Sequence, residues 1–214
     1  MNTIIDFINR YYKEILHYTS RHIYLVFVSV AIGIVIAVPL GILLSRHKKI
    51  AEPVIAGISA FQTIPGLVLL GFSMMIFGIG IKPAIIVLSL YSLLPILRNT
   101  YTGLIGVDAS LKDAAKGIGM TKNEILFKVE LPLSVSTIIS GIRISTIYII
   151  SWATLAGLIG AGGLGDLIWI GLSTYSKDYI LAGTIPAALL ALIVSNLLEL
   201  LQKLITPKGL KVKR

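Results

Sequence analysis

The sequence contains no cysteine, which excludes disulfides and thiolate metal sites alike. Charge is also scarce: Asp, Glu, Lys and Arg make up 14% of the residues, against roughly 25% in soluble domains. Only 10 residues are acidic, against 19 Lys and Arg. No Walker A sequence, HExxH, GxSxG or His/Asp cluster occurs, so the corresponding enzyme classes have no motif to stand on. The histidines, His17, His22 and His47, fall outside the apolar runs. No Asp or Glu lies deep within such a run, which argues against a self-contained proton-driven transporter. The first 22 residues lack an uninterrupted apolar stretch and a small-residue cleavage pattern, so they do not read as a signal peptide.

What is present is apolar. Hydrophobic residues make up 56% of the 214, and the mean hydropathy is +0.90. A soluble core of this size cannot hide that much apolar surface, so lipid must take the excess. The runs lack the alternation of a barrel strand, which leaves an all-α membrane protein. Five runs reach the roughly 20 residues a span needs: 23–44, 54–77, 79–97, 133–159 and 179–201. Ahead of them, Ile4, Ile5, Ile8, Tyr12, Ile15 and Leu16 recur at helical spacing, and predict an interfacial helix over 1–22. The membrane-spanning region then covers 23–205, and a basic tail 206–214.

Cations fix the expected orientation. Arg46, Lys48 and Lys49 follow the first run, and Arg98, Lys112, Lys116, Lys122 and Lys128 lie between the third and fourth. Lys203, Lys208, Lys211, Lys213 and Arg214 follow the fifth. These connections belong in the cytoplasm, which places the N-terminus outside and the C-terminus inside. The same bias accounts for the net charge of +9 without any nucleic-acid partner. Pro39, Pro65, Pro95 and Pro186 interrupt the runs, either as ordinary kinks or as the shaping of a gated cavity. Gly157 to Gly165 is glycine-rich but follows no strand, so it reads as close packing or an outer hinge. Residues Asp166 to Gly171 are expected to form a short interfacial helix with Trp169 near the headgroups. Arg143 is expected to snorkel or to pair across subunits, and Glu199 to pair with Lys203.

The connection 106–134 is long and polar. Ser110 followed by Asp113 predicts an N-cap, with Gly117 and Gly119 stopping that helix. Thr121 with Glu124 predicts a capping box for a second short helix ending near Leu131-Pro132. A DNA-binding helix–turn–helix is the competing interpretation, but no third packing helix accompanies the pair and membrane runs flank it.

Asp113-Ala114-Ala115, three residues, Gly119, nine residues, then Val129-Glu130-Leu131-Pro132 resembles the EAA loop of bacterial ABC importer permeases, with Asp for Glu and Val for Ile. The resemblance extends to Phe61–Gly66, Leu88–Thr100 and Ala156–Gly165, which are similar to the osmoprotectant branch that imports glycine betaine, carnitine and choline. It implies a type I importer core of five transmembrane helices, with cytoplasmic coupling helices between the third and fourth. The chain would be a non-catalytic permease subunit in the inner membrane of a bacterium. It would pair with a second permease copy or a paralogue, with two ATPase subunits that bind ATP and Mg, and with an extracytoplasmic substrate-binding protein. Some relatives carry that binding protein fused at the C-terminus, whereas this chain ends in a basic tail, so a separate one is expected. No cofactor is expected in the chain itself. Asp113, Ala114, Ala115, Gly119, Leu131 and Pro132 would form the ATPase-coupling element. Gln62, Thr63, Tyr91, Ser151 and Trp152 are candidates for the translocation path, each with helix packing as the alternative. The branch also includes permeases for other small solutes, such as amino acids or ergothioneine.

Overall fold

Without water to compete for backbone polar groups, the helix satisfies them within one segment. The structure is a computed structural model describing residues 2–206, with side chains from position 9 onward, and every regular element in it is helical. The side chains of Ile4, Ile5 and Ile8, and the basic tail from 207, lie outside the described residues.

Helix α1 spans Asn2–Arg46 without a break. At about 1.5 Å per residue it is roughly 68 Å long, more than twice the roughly 30 Å hydrocarbon layer. The boundary expected between an interfacial helix at 1–22 and a span from 23 is therefore not a structural one. Arg10, Lys13 and Arg21 interrupt the apolar pattern, but no Gly or Pro before position 33 stops the helix. His22, expected outside the spans, is fully buried, with Nε2 3.0 Å from the Ile150 carbonyl.

The second run, 54–77, is not one helix. It splits into α2 (Lys48–Phe61) and α3 (Gly66–Phe77), bent by 83°. Helix α4 follows (Ile81–Ile105) and extends past the run 79–97 expected from hydropathy. Arg98 accordingly sits inside α4 rather than in a loop, donating to Ser59 Oγ at 3.3 Å. Beyond α5 (Ala109–Gly117) and α6 (Lys122–Ile125), a π-turn (Leu126–Glu130) leads straight into α7 (Leu131–Leu155). A 3₁₀ turn (Ala156–Ile159), α8 (Leu164–Ser173) and α9 (Lys177–Ile205) complete the order. Trp169 of α8 is half-buried, its indole N–H donating to the Thr154 carbonyl at 3.3 Å. Among the described residues, four helical stretches are long and apolar enough to cross a membrane, or five if the bent pair is counted as one.

Helix α4 sits between α1 and α7, and small residues let the three approach closely. A methyl group on Gly33 of α1 would meet Ser92 Oγ at 1.9 Å, and one on Gly41 would meet Thr100 at 2.8 Å. From the other side, a methyl on Gly141 of α7 would lie 2.5 Å from Asn99 Cβ and 2.8 Å from the Pro95 carbonyl oxygen. Lipid tails are as apolar as the side chains, so close packing and interhelical hydrogen bonds must bind the helices instead. Ser145 Oγ donates to the Ser92 carbonyl at 2.9 Å, and Gln202 of α9 donates to Ser140 Oγ at 2.8 Å. Arg143 donates to Ser195 Oγ and pairs with Glu199 at 2.9 Å, so it joins α7 to α9 within one chain. Glu199 also pairs with Lys203 at 2.7 Å, as its i,i+4 spacing predicts. The outer faces, such as Leu189, Leu192 and Ile193 on α9, stay exposed, as a lipid-facing surface requires.

Gly141→Ala should therefore lower thermal stability by about 1–3 kcal/mol, because a backbone carbonyl blocks the new methyl. Gly71→Ala in α3 meets nothing within 4 Å, and should be neutral or stabilising by up to about 1 kcal/mol. Melts of the two purified variants in detergent make the comparison. Equal melting temperatures would show that α4 and α7 are not in tight contact there.

Candidate functional site

The break between α2 and α3 is built from α4. Pro95 has no N–H, so the Tyr91 carbonyl one turn earlier loses its helical partner. Gln62, at the C-terminal end of α2, fills the vacancy: its Nε2 donates to that carbonyl at 2.8 Å. Tyr91 reciprocates, its hydroxyl donating to the Ile64 carbonyl inside the break. Its ring lies stacked on Trp152 of α7, with centroids 4.9 Å apart and planes 18° from parallel. Gly66 opens α3 directly against the indole, where a methyl group would come within 2.1 Å of the ring. Three candidate path residues, Gln62, Tyr91 and Trp152, are thus brought into one cluster. Thr63 and Ser151 are both exposed and bond locally, Thr63 in the break to the Ala60 carbonyl of α2 and Ser151 to the Ile147 carbonyl of its own helix. The cluster offers aromatic faces and a neutral amide, with no nucleophile–base pair.

The second assembly lies beyond the long helices. Asp108, not Ser110, caps α5, its carboxylate accepting from the Ser110 N–H at 2.9 Å. Asp and Ser are equally good caps by type, so the residues alone do not choose between them. That hydrogen bond, seconded by the Ser110 hydroxyl, holds the Asp108 carboxyl below its ordinary range. Gly117 lies within α5. Gly119, at φ +85°, makes the turn that ends it, a conformation that costs other residues about 1–2 kcal/mol.

Asp113 is exposed and pairs with Lys116 at 2.8 Å. Ala114 faces outward, but Ala115 is buried, so only one of the two alanines is presented for close approach. Exposed Leu111 and Ile118 flank Ala114 at helical spacing, i, i+3, i+7, an apolar signal within a polar loop that escaped the sequence reading. The Thr121–Glu124 capping box forms as expected. The helix it starts does not end at Leu131-Pro132, however. Pro132 cannot donate to the Lys128 carbonyl, and the ladder shifts to an i→i−5 bond from the Leu131 N–H to the Leu126 carbonyl. Leu131 is half-buried and Pro132 exposed at the start of α7. Glu130 ends the π-turn, 4% exposed, with Arg46 and Lys112 as partners. Sequence reasoning passed over it because the motif leaves that position free. Among the described residues, no group of three or more His, Asp or Glu could hold a metal ion.

The described residues thus form long apolar helices, a bent helix pair braced by its neighbours, and a capped helix standing beyond them. Residues 29–210 match the family described as binding-protein-dependent transport system inner membrane component. The chain belongs to that family. It is 47% identical over 211 residues to the glycine betaine/carnitine/choline transport system permease protein OpuCB of Bacillus subtilis, covering 99% of this chain and 97% of that one. It is 46% identical over 214 residues to the carnitine transport permease protein OpuCB of Listeria monocytogenes, covering 100% and 98%. Its fold is similar to that of the MetNI methionine ABC transporter in an inward-facing conformation, with a TM-score of 0.81 at 24% identity over 90% of this chain and 96% of that one.

Tyr91→Phe leaves the Ile64 carbonyl without its donor and should destabilise the protein by about 1–3 kcal/mol. A thermal melt unchanged from the parent would show that this carbonyl is satisfied elsewhere. At α5 the sign follows from the lowered Asp108 carboxyl: its contribution is complete above the ordinary carboxylate range and is lost as pH falls through the lowered value. Amide protection in α5, corrected for intrinsic exchange, should hold down to that range and drop below it. Asp108→Ala should lower it at every pH.

Proposed function

We propose that this chain is the permease subunit of an ATP-driven importer for a small quaternary-amine solute such as glycine betaine, carnitine or choline. The observation that carries the importer reading is α5, a short capped helix closed by a left-handed glycine, bearing Asp113 and Ala114 on its exposed face. The end-to-end similarity to permeases named for these three solutes supports the substrate class.

In this reading the bent pair α2–α3 acts as the second of five spans. The end carrying Arg46, Lys48, Lys112 and Lys122 faces the cytoplasm by the positive-inside rule, with the N-terminus outside. Asp113, Ala114, Gly119, Leu111 and Ile118 meet one of two partner ATPases, which bind ATP and Mg; this chain contributes no catalytic group. Residues 106–134 are the coupling segment, and Leu131 and Pro132 join it to α7. A second permease, identical or paralogous, completes the membrane core, and an extracytoplasmic binding protein delivers the solute.

The Gln62–Tyr91–Trp152 cluster lines the path. A quaternary ammonium has no N–H to donate, so an aromatic face recognises it through cation–π attraction, about 0.5–2 kcal/mol per ring. Weak binding suits a path that must also release its cargo.

Reconstitution in nanodiscs with the cognate ATPase and binding protein tests the reading directly. ATP hydrolysis should rise several-fold when the binding protein is loaded with one of the three solutes. Absence of any complex with the ATPase would overturn it. In the same system Gly119→Arg should keep insertion but abolish uptake, through bulk and charge on the docking face. Gly119→Ala, which introduces the backbone strain alone, should keep much of the uptake. Normal uptake by the arginine variant would remove α5 from the coupling role.

A further inference from the structure

We propose that Glu130 is the positioning residue through which movement of α5 reaches the spans, an inference that rests on the coupling role proposed for that helix. Helix α5 is poorly attached by packing. Its one buried side chain is the methyl of Ala115. A cavity of about 560 Å³, lined by residues that include Ser45, Leu104, Ile105, Lys116 and Ile125, opens where α5 meets the ends of α1 and α4. One methyl contact is a small attachment, and the open cleft leaves α5 without close side-chain packing against the ends of α1 and α4.

An ionic junction spans that region instead. The Glu130 side chain is 5% exposed and accepts from the two terminal guanidinium nitrogens, Nη1 and Nη2, of Arg46, the last residue of α1. Its Oε1 lies 3.4 Å from Nζ of Lys112, on α5. Lys112 donates in addition to the Leu104 carbonyl at 3.2 Å, in the last turn of α4, where orphan carbonyls attract a cation. One carboxylate and one ammonium therefore tie α5 to the ends of α1 and α4 and to the start of α7. A two-pronged guanidinium contact fixes direction as well as distance. The π-turn sharpens the arrangement. Its i→i−5 register places the chain just before α7 one residue out of helical phase, and it is Glu130 that this turns inward.

The chemistry defines a discriminating variant. Glu130→Gln keeps size and shape but removes the charge. The side chains of Arg46 and Lys112 are 38% and 23% exposed, so both can turn to water when released. The complex with the ATPase should still assemble. The quantity to measure is solute taken up per ATP hydrolysed, in proteoliposomes of the full transporter, because a ratio is insensitive to the amount of folded protein. Glu130→Gln should lower it about tenfold or more while basal ATP hydrolysis persists. Lys112→Met, which keeps the stem and breaks only the link to α5, should lower it in the same direction.

An unchanged ratio in both variants, with only the yield or melting temperature reduced, would make the junction a structural brace and overturn the proposal. The Gly119→Arg variant separates this failure from failure of the coupling reading. If Gly119→Arg abolishes uptake while Glu130→Gln leaves the ratio intact, α5 couples but not through Glu130. If neither variant affects uptake, the coupling role of α5 falls with it.

Discussion

A carbonyl in hydrocarbon has no water to accept from, and this one constraint organises the molecule. Each proline in a long helix releases a carbonyl four residues earlier. At Pro95 the released group is that of Tyr91, and the chain answers it with the amide of Gln62 from another helix. The answer has a consequence: α2 must end where Gln62 can reach α4. The next carbonyl in the break, that of Ile64, is then close enough for the hydroxyl of the same tyrosine. A defect in one helix and a break in another cancel, and the 83° bend is held by polar bonds in place of a continuous ladder. A span that must bend can be stable on these terms, and Gly66 completes it by letting the Trp152 ring lie against the backbone.

The same accounting explains why the two ends of the molecule differ. At the end bearing Arg46 and Lys112, exposed carbonyls and a buried carboxylate are met by long cationic side chains. The opposite end has few cations and uses glycine instead. Gly160, Gly162 and Gly163 all adopt positive φ, and a side chain on Gly162 or Gly163 would collide with Arg21 or His22 of α1. The Gly80 N–H donates to the Ile159 carbonyl at 3.0 Å, which ties the α3–α4 turn to the same loop. One end is held by charge and the other by close backbone contact.

How much of this was legible depends on whether the signal is local. The capping box at Thr121 and Glu124, the left-handed turn at Gly119 and the Glu199–Lys203 pair are set by residues within four positions of each other, and the structure has them where the spacing places them. The apolar runs identify the long helices because lipid exposure is a property of composition. What escaped depends on partners far along the chain. The 1–22 boundary follows from where the uninterrupted apolar run begins, yet a stretch with neither Gly nor Pro before position 33 continues as helix regardless of which solvent surrounds it. The break at Pro65 was legible as a breaker, but its angle is set by Tyr91, which bonds the Ile64 carbonyl from 27 positions away. The cap fell on Asp108, a position that residue type alone does not distinguish from Ser110, and the pairing of Arg143 inside one chain depends on Ser195, 52 positions on.

Glu130 shows why a motif conceals as well as reveals. A pattern that fixes Leu131 and Pro132 and leaves the position before them free directs attention to the proline. The physical effect of the proline is exerted upstream: by withholding an N–H from Lys128 it converts a turn of α-helix into a π-turn, and the residue that turn buries is the unspecified one. A buried carboxylate needs cations, and the two it finds come from the end of α1 and from α5, elements separated from it by 84 and 18 positions. The unspecified position is thereby the one where three separate parts of the chain meet. The same proline that marks the start of a membrane helix also creates the joint that attaches the external helix to it.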